Sequence, residues 1–447
     1  MDAEELYRDA MAQLADGNAW GAELLARKLF ASHPDHPRGW LIRAASAARR
    51  GERPVAVEAC RHAADAESDE SGILLDVATL QSRLGERAAA AGTYEKLLAV
   101  EPNNLPALVN FGNLRLGLGD PEAAAVLQRR AIAIRPDLAE AHYNLASALF
   151  HADDIEAAFA EYEWRWRTPG FTTKPPDTDR PRWDGKADSG TRLLVVPEQG
   201  LGDCIHFVRF AGMARRRVGH LTLETPAPLL GLFEGLAGID ALLPYGKQKP
   251  DFDCWAPMLS LPYLLGLARA DFPRPPYIRV PEVARKPGAP LRVGFSWTGN
   301  PASRNNHLRT STFEDFLPLL TLDGVQPVSL QKDVPAGMFD RPDLAGRLED
   351  PMPSVRNFAD TARILAGLDL VVTVDNVVAH LAGAMGKEVL VLLPSLPDWR
   401  WGLRSERSFW YPSMRLYRED IASGWAPAFR AVTAEVAARV RALSGSS

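Results

Sequence analysis

The sequence predicts two regions of different fold class: an α-helical solenoid, and after it an α/β region with two sets of parallel strands. Glycines recur at a fixed 34-residue interval in the first third of the chain, which is typical of stacked helix pairs. From residue 191 onward, short β-branched runs alternate with helical stretches. A length of 447 residues, 46% of them hydrophobic, suits two or three globular domains.

The repeat fills residues 1–167. Its turn glycines are Gly17, Gly51, Gly85 and Gly119, and Asp153 stands at the fifth position. Small residues and prolines keep the same period, at Ala22, Ala56, Ala90, Ala124 and Ala158 and at Pro34, Pro102 and Pro136. One helix pair cannot bury its own apolar face, so stacked pairs share a continuous core. The register resembles the tetratricopeptide repeat, which implies about five pairs of antiparallel helices.

The concave surface of such a solenoid usually holds a peptide or a partner protein. Asn110 and Asn144 occupy the same position of the first helix in successive repeats. They are candidates for a peptide groove, clamping an extended backbone as the similar asparagine ladder does in O-GlcNAc transferases. The alternative interpretation is two solvated asparagines without a ligand. Tetratricopeptide arrays often self-associate, so a homo-oligomer is a further hypothesis.

The composition changes at residues 168–190, where four prolines and scattered charges predict an ordered or semi-rigid linker. Beyond it, continuous apolar runs predict parallel strands that are buried on both faces. They form two sets, which predicts two Rossmann-like units, 191–288 and 289–447, facing across a cleft. Strands are expected at Arg192–Pro197, Leu221–Thr225, Ile239–Leu243, Arg292–Trp297, Gln326–Gln331, Leu370–Val374 and Glu388–Leu393. The last segment, Pro427–Leu443, predicts an amphipathic helix that crosses both units.

Ligands of open parallel sheets bind beyond the carboxyl ends of the strands, and three loops of this chain qualify. The first loop, EQGLGD, follows the first strand and ends at Asp203, a candidate general base. The alternative is that Asp203 caps the helix that begins there. His206 is expected to be a packed or surface histidine. Further ligand contacts from this loop are predicted for Glu198, Gln199, Gly200 and Gly202.

The second loop covers residues 297–311 and brings Arg304, His307 and Arg309 close together in sequence. The planar fork of arginine matches phosphate oxygens, so a pyrophosphate could dock on this loop. The alternative is a solvated basic loop. Ligand contacts are also predicted for Trp297, Gly299 and Asn300, and for Gln331 after the next strand.

The third loop joins the strand that ends at Val374 to a helix. The exposed amides at a helix N-terminus form an anion site, with Asp375 or Asn376 as the cap and His380 near the ligand. The alternative is a capped helix with a structural histidine. Arg400 lies in a later aromatic segment and is a further candidate, because its guanidinium and the neighbouring tryptophans could bind a nucleobase or sugar. They could equally pack the last helix.

Charge and composition exclude several classes of function. The net charge of −5 leaves no global footprint for nucleic acid. Residues 1–167 hold 18 Lys and Arg against 26 Asp and Glu, a net of −8, and the remainder holds 33 against 30, a net of +3. An anionic ligand therefore fits the second region better. The acidic start is unlike a secretory signal, and no run of 18 apolar residues predicts a membrane span.

The cysteines and acidic pairs offer no metal site. Cys60, Cys204 and Cys254 lie far apart and lack metal-ligand spacing, which favours a reduced, cytoplasmic setting. Asp251 and Asp253 form a DxD pair, for which a structural role at a strand edge is favoured over metal binding. The sequence therefore predicts no bound metal.

Two motifs of the second region resemble one family. The segment DNVVAHLAGAMGKEVLVLLP is similar to the D-[ST]-G-x-x-H-L-A-A-A-L-G-x-P segment of the ADP-heptose heptosyltransferases of lipopolysaccharide assembly, and EQGLGD is similar to their first-strand loop. The resemblance covers about residues 191–440 and implies a GT-B glycosyltransferase. Together with the repeats, the chain resembles bacterial tetratricopeptide-containing glycosyltransferases, some of which are implicated in flagellin glycosylation.

This resemblance implies roles for particular residues. Asp203 matches the base that deprotonates the acceptor, and Arg309 matches the basic residue for the donor pyrophosphate. Asp375, Asn376 and His380 fall on the donor-binding segment. A nucleotide-sugar is then the co-substrate, and neither a metal nor another cofactor is implied.

The chain also departs from that family. The pair Asn376-Val377 replaces the usual hydroxyl-then-glycine pair, which predicts a donor different from ADP-heptose. The same departure motivates a rival hypothesis, a repeat scaffold whose transferase-like half no longer catalyses. A third hypothesis is a transferase that acts on glycolipid or polysaccharide, with the repeats serving only assembly.

Overall fold

The computed structural model describes residues 2–66, 71–281, 283, 286, 288–302 and 306–444. The chain forms two compact units, one up to Pro169 and the other from Gly170 onward. The first is helical, and the second contains two parallel sheets. The predicted fold class, a helical solenoid followed by an α/β pair, is confirmed.

The described part of the first unit contains ten α-helices that pack in successive antiparallel pairs. They are α1 Ala3–Ala15, α2 Ala19–Ser32, α3 Pro37–Arg49, α4 Arg53–Asp65, α5 Ser71–Arg83, α6 Arg87–Val100, α7 Leu105–Gly117, α8 Pro121–Ile134, α9 Ala139–His151 and α10 Ile155–Tyr162. The periodic alanines are completely or almost completely buried where helices cross, because a larger side chain would hold the backbones apart.

The turns between paired helices share one backbone conformation. Gly17, Gly51, Gly85 and Gly119 have φ between +77° and +82°, which favours glycine because it has no Cβ. Asp153 occupies the fifth turn with φ +69°, and aspartate is among the few other residues that tolerate this region. The predicted substitution of Asp153 for the turn glycine is therefore confirmed as a fifth turn of the same kind.

The first sheet of the second unit has four parallel strands in the order β3-β2-β1-β4. Its strands are β1 Asp188–Val196, β2 Val218–Thr225, β3 Ala241–Pro244 and β4 Cys254–Pro257. The helices that follow them are α11 Leu201–Phe207, α12 Ala211–Arg215, α13 Leu230–Phe233 and α14 Leu261–Leu264.

The second sheet has five parallel strands in the order β6-β5-β7-β8-β9. Its strands are β5 Leu291–Ser296, β6 Val325–Ser329, β7 Leu370–Val374, β8 Val389–Leu393 and β9 Met414–Arg418. Its helices are α15 Phe313–Leu320, α16 Phe358–Ala366, α17 Val377–Ala384 and α18 Ala426–Ser444.

The strand orders fix where loops can gather around a ligand. In the first sheet the order reverses between β1 and β4, and in the second between β5 and β7. At such a switch point the loops leave in opposite directions and open a crevice beyond the carboxyl ends of the strands. The loops after β1, β5 and β7, which carry the three predicted motifs, therefore border these crevices.

Two sequence expectations need correction. The strands β4 and β9 were not predicted, because β4 has only four residues and β9 is interrupted by arginines. The last helix packs on the second sheet rather than across both, since its buried Phe429, Val432 and Val436 belong to that sheet's core. The end of the linker is ordered, one of its two predicted forms: Trp183 is buried, and its backbone N–H donates to the carbonyl of Trp255 in β4 at 2.8 Å.

Candidate functional site

The two sheets of the second unit meet through α11 and α17, the helices that follow β1 and β7. At their contact, a Cβ on Gly202 would lie 2.9 Å from Cδ2 of His380, closer than normal packing allows. His380 is buried, so its ring has little room to move. Gly202, predicted as a ligand contact, therefore permits the close approach of the two helices.

Asp203 lies in the first turn of α11 with both carboxylate oxygens engaged. Oδ2 accepts a hydrogen bond from the backbone N–H of Gly200 at 2.8 Å, and Oδ1 accepts one from Nη2 of Arg400 at 2.5 Å. Gly200 is the N-cap and Asp203 reaches back to it from the third helical position. The N-cap is thus Gly200 rather than Asp203, although the Asp203 carboxylate supports the helix start from the third position, and 18% of its side chain stays exposed.

Arg400 comes from the segment after β8 and is buried. Its Nη1 donates to Oδ1 of Asp398 at 2.8 Å, and its guanidinium lies 4.2 Å from the ring centre of Trp399. Burial raises the pKa of Asp203, while the positive charge of Arg400 and the N–H of Gly200 act against the rise. These contacts are with Asp203 and with the segment of Arg400 itself rather than with the last helix, and the predicted contact with a nucleobase or sugar stays a prediction.

The remaining residues of the first loop have structural contacts. Glu198 is buried, and its Oε1 accepts a hydrogen bond from the N–H of Leu259, just beyond β4. Glu198 therefore joins the two strands that flank the switch point. Gln199 is exposed and has φ +57°, and its N–H donates to Oγ1 of Thr173 at 3.3 Å.

Arg309 and Asp375 face each other at the second switch point. Nη1 of Arg309 lies 3.6 Å from Oδ2 of Asp375, so they form an ion pair without a hydrogen bond. Among the described residues the Arg309 side chain donates no hydrogen bond, and its Nε is buried without a partner. Since 28% of that side chain is exposed, its donors are available to an anion.

Asp375 is more deeply buried than Asp203, with 6% of its side chain exposed. Burial, together with the negative charge of Asp398, raises the pKa of Asp375 to about 6, and Arg309 opposes the rise. The carboxylate carries its negative charge at neutral pH, and an incoming phosphate would add more. The arginines of the site must balance both.

Asn376 is the N-cap of α17. Its Oδ1 accepts hydrogen bonds from the N–H groups of Val378 and Ala379 at 3.0 and 3.2 Å. Its Nδ2 donates to Oγ of Ser296 at 3.0 Å and to the carbonyl of Thr298. The predicted cap is thus Asn376 rather than Asp375, and the cap occupies two of the amides that a phosphate would use.

Two buried histidines lie side by side where the sheets meet. Nδ1 of His380 is 3.0 Å from the hydroxyl oxygen of Tyr411, and the rings of His206 and His380 are 5.4 Å apart. Burial lowers the pKa of His380 to about 3 and holds that of His206 well below its usual range. His206 is thus packed, one of its two expected placements, and both rings are neutral at physiological pH.

Arg209 is a structural residue that sequence reasoning missed. Its guanidinium is buried and donates to the carbonyls of His206 at 2.8 Å and Trp410 at 3.0 Å, and to the hydroxyl of Tyr277 at 2.8 Å. These contacts join the helical segment after β1 to the segment before β9. The one signal in the sequence was a single arginine inside an otherwise apolar helical stretch.

Several residues in or near the second loop that were predicted to contact a ligand contact other groups of the protein. Trp297 is buried 5.3 Å from the ring of Phe313, and Oε1 of Gln331 accepts hydrogen bonds from Ser296 Oγ and from two backbone N–H groups. Asn300 closes an exposed turn by accepting from the N–H of Ala302. Arg304 lies outside the described residues.

Gly299 borders the ion pair of the second switch point. A Cβ there would lie 3.5 Å from Nη2 of Arg309 and 3.6 Å from Cβ of Asn376. The site therefore brings together four of its predicted members: Gly299, Arg309, Asp375 and Asn376. His307 of the same loop is exposed.

The predicted peptide groove belongs to the first unit. Asn110 and Asn144 are both half-buried, on α7 and α9. The side chain of Asn110 forms a hydrogen bond with Tyr94. Nδ2 of Asn144 is buried and, among the described residues, has no acceptor.

Within the described ranges no group of three or more His, Cys, Asp or Glu side chains is arranged to hold a metal ion. Asp253 of the DxD pair accepts hydrogen bonds from the backbone N–H and the guanidinium of Arg192 at 2.8 and 3.0 Å, which fits a structural role. Cys60, Cys204 and Cys254 are all buried and free. None of the described helices is long and apolar enough to cross a bilayer.

The 34-residue helix pairs and their left-handed turns define the class of the first unit, a tetratricopeptide-repeat solenoid. No protein-family profile matches the chain. Protein FlbA of Caulobacter vibrioides is 29% identical over an alignment that covers 55% of this chain and 46% of FlbA. The chain therefore spans about half the length of this curated relative.

Solved structures of other proteins are similar to part of this chain at low TM-scores. MamA has a TM-score of 0.32 at 15% identity and covers 37% of this chain and 92% of its own. YrrB, described as a tetratricopeptide protein with an unusual peptide-binding site, has a TM-score of 0.32 at 15% identity. The match covers 36% of this chain and 84% of the YrrB chain. PilF of Pseudomonas aeruginosa has a TM-score of 0.34 at 16% identity. The match covers 38% of this chain and 77% of the PilF chain.

Proposed function

We propose that the second unit is a GT-B glycosyltransferase that moves a sugar from a nucleotide-sugar to Ser or Thr hydroxyls of a protein bound by the repeats. One observation carries this proposal: a partly exposed carboxylate follows β1 of one sheet, and the Arg309 guanidinium, which donates no hydrogen bond to a described residue, borders the switch point of the other. Arg400, from the segment after β8 of the second sheet, contacts Asp203 directly. A base and an anion site are the two groups that such a transfer requires.

The proposed step transfers one proton and one glycosyl group. The acceptor hydroxyl oxygen bonds to the anomeric carbon while its proton passes to the Asp203 carboxylate. The bond from the anomeric carbon to the phosphate oxygen breaks, and its electron pair leaves with the nucleotide. Arg309 stabilises the charge that develops on that phosphate, so the proposal needs no metal ion.

The cap of α17 bears on the choice of donor. Asn376 occupies the amides of Val378 and Ala379, so a phosphate cannot use those two N–H groups while the cap is in place. Asp375 also adds negative charge beside Arg309. Both features support a donor other than ADP-heptose, with its phosphate held by Arg309 rather than by the helix end.

The repeats provide the proposed acceptor site. The buried Nδ2 of Asn144 lacks an acceptor among the described residues, and a peptide carbonyl would provide one. Flagellin is the acceptor that the resemblance to repeat-containing glycosyltransferases favours. The proposed setting is the cytoplasm, where nucleotide-sugars and reduced cysteines occur together, and self-association through the repeats is part of the proposal.

A scaffold without catalysis is the second candidate. It is favoured by the engagement of both oxygens of Asp203 and by the capped start of α17. In that case the second unit would bind neither nucleotide nor sugar, and the repeats alone would bind a partner.

Thermal unfolding with a panel of ADP, UDP, GDP, CMP and dTDP separates the two candidates. A nucleotide at 100 times its Kd stabilises the protein by about 2.7 kcal/mol, which gives a clear rise in Tm. The rise should disappear in Arg309→Ala and persist in the control Arg356→Ala, whose side chain is 81% exposed beside Asp360. No rise with any nucleotide would favour the scaffold.

A further inference from the structure

Among the described side chains of the second sheet and its connecting segments, Arg400 is the one that hydrogen-bonds to Asp203. It follows β8, whereas Asp203 follows β1, and the two residues are 197 positions apart. The guanidinium bonds Asp203 with one nitrogen and Asp398 with another, and its face lies over Trp399. Three constraints thus fix its plane and aim it at the carboxylate.

A buried guanidinium is costly unless carboxylates neutralise it. Here the same pairing changes the carboxylate. Burial favours the protonated form of Asp203, which cannot accept a proton, and the adjacent charge of Arg400 favours the ionised form. Oδ1 is committed to Arg400 and Oδ2 to the N–H of Gly200, which together set the orientation of the exposed lone pairs.

We propose that Arg400, braced by Asp398, is a positioning residue that keeps the Asp203 carboxylate ionised and correctly aimed. This inference rests on the proposed function, in which Asp203 is the base. Because Arg400 belongs to the sheet that would hold the donor, it makes the base competent only when the two sheets are in contact.

Other charged and titratable groups also surround Asp203. Asp398 raises its pKa, and Arg309, from the loop after β5, lowers it. Cys204 and His206 are on the same helix, and His380 is on α17, packed against it; both histidines are neutral and Cys204 is a buried thiol. Arg400 and Asp398 therefore act on Asp203 with opposite signs, which provides a matched pair of variants.

The test compares the pH dependence of kcat for the full chain and for R400Q, R400K and D398N. Removing an opposite charge at this distance raises a carboxylate pKa by about 1–3 units. R400Q should therefore move the acid limb of kcat upward by at least about one pH unit, and at pH values below the wild-type limb kcat should fall by about tenfold or more. D398N should move the limb downward, by less, because Asp398 is more exposed.

R400K separates charge from geometry. Lysine keeps the positive charge but cannot bond both carboxylates with a rigid fork, so the acid limb should stay near its wild-type position while the plateau of kcat falls. The KM for the nucleotide-sugar should change less than twofold in all three variants. If R400Q does not fold, R400K and D398N still carry the test.

Two outcomes would overturn the inference in different ways. If the wild-type chain transfers sugar but the acid limb stays in place in R400Q, or moves upward in D398N, the positioning role is wrong and the proposed function stands. If no nucleotide-sugar supports transfer by the wild-type chain, the proposed function and the inference both fail.

Discussion

The strand–loop–helix turns β1 to α11 and β7 to α17 each follow a strand that borders a switch point, but their aspartates differ in solvent exposure. Asp203 keeps 18% of its side chain exposed and hydrogen-bonds a backbone N–H and a guanidinium. Asp375 keeps 6% of its side chain exposed and lies 3.6 Å from the guanidinium of Arg309. The first turn caps its helix with Gly200, and the second with the Asn376 side chain.

This difference in exposure indicates which aspartate is suited to proton transfer. A base must reach its substrate, so partial exposure and a stabilised charge suit Asp203 to proton transfer. A buried carboxylate mainly changes the field around its neighbours, so Asp375 suits the control of charge at Arg309. Substitution of these two aspartates, each beside a switch point, is thus expected to affect different assays.

The largest expected effect is on turnover in Asp203→Asn. General base catalysis is typically worth roughly 100- to 10,000-fold, so kcat should fall by that range. Because Asn cannot accept the proton yet matches the shape of Asp, the nucleotide-induced rise in Tm should remain. Steady-state transfer assays and thermal unfolding of the same preparation check both. Turnover near the wild-type rate would remove Asp203 from the base role.

A smaller effect is expected on stability in Asp375→Asn. The folded pKa of about 6 lies above the usual value near 3.9 for an unfolded chain, so the native state takes up this proton first as pH falls. Asp375 therefore contributes stability that is full below pH 3.9 and is lost as pH rises through 6. The neutral asparagine avoids that loss.

At pH 7.5 the Asp375→Asn chain should accordingly be more stable than wild type by roughly 2–3 kcal/mol. The difference should shrink as pH falls through 6 and be absent near pH 4. Calorimetric unfolding at several pH values measures it, with Asp203→Asn as the matched carboxylate. A variant that is less stable than wild type at pH 7.5 would mean that the ion pair with Arg309 outweighs burial.

The smallest expected effect distinguishes the two glycines of the first turn. In Gly202→Ala the new Cβ would lie 2.9 Å from the buried His380 ring, and overpacking of this kind costs about 1–3 kcal/mol. In Gly200→Ala the nearest atom is Oδ2 of Asp203 at 3.3 Å, and the N-cap has φ −95°, which alanine adopts. Urea unfolding should thus show a loss in Gly202→Ala larger than in Gly200→Ala, and the reverse order would contradict the close contact of α11 and α17.

Many residues of the site could be predicted from the sequence, because the loops that follow parallel strands lie at one edge of the sheet. Asp203, Arg309, Asp375 and Asn376 each stand shortly after a strand of continuous apolar residues. Their contacts were less visible. Trp297 and Gln331 occupy similar loop positions, yet the tertiary structure commits Trp297 to the core and Gln331 to neighbouring backbone groups.

The repeat and the alternation of strands and helices could be predicted from the sequence alone, because both are periodic. The repeat has the 34-residue period of the helix pair, and the alternation follows local patterns of apolar residues. Only the tertiary structure decided that Arg400 bonds Asp203 and that Arg209 joins segments 201 residues apart. No local pattern encodes such pairings, since they depend on how two sheets pack. A buried arginine is tolerated only where distant carbonyls and carboxylates meet it.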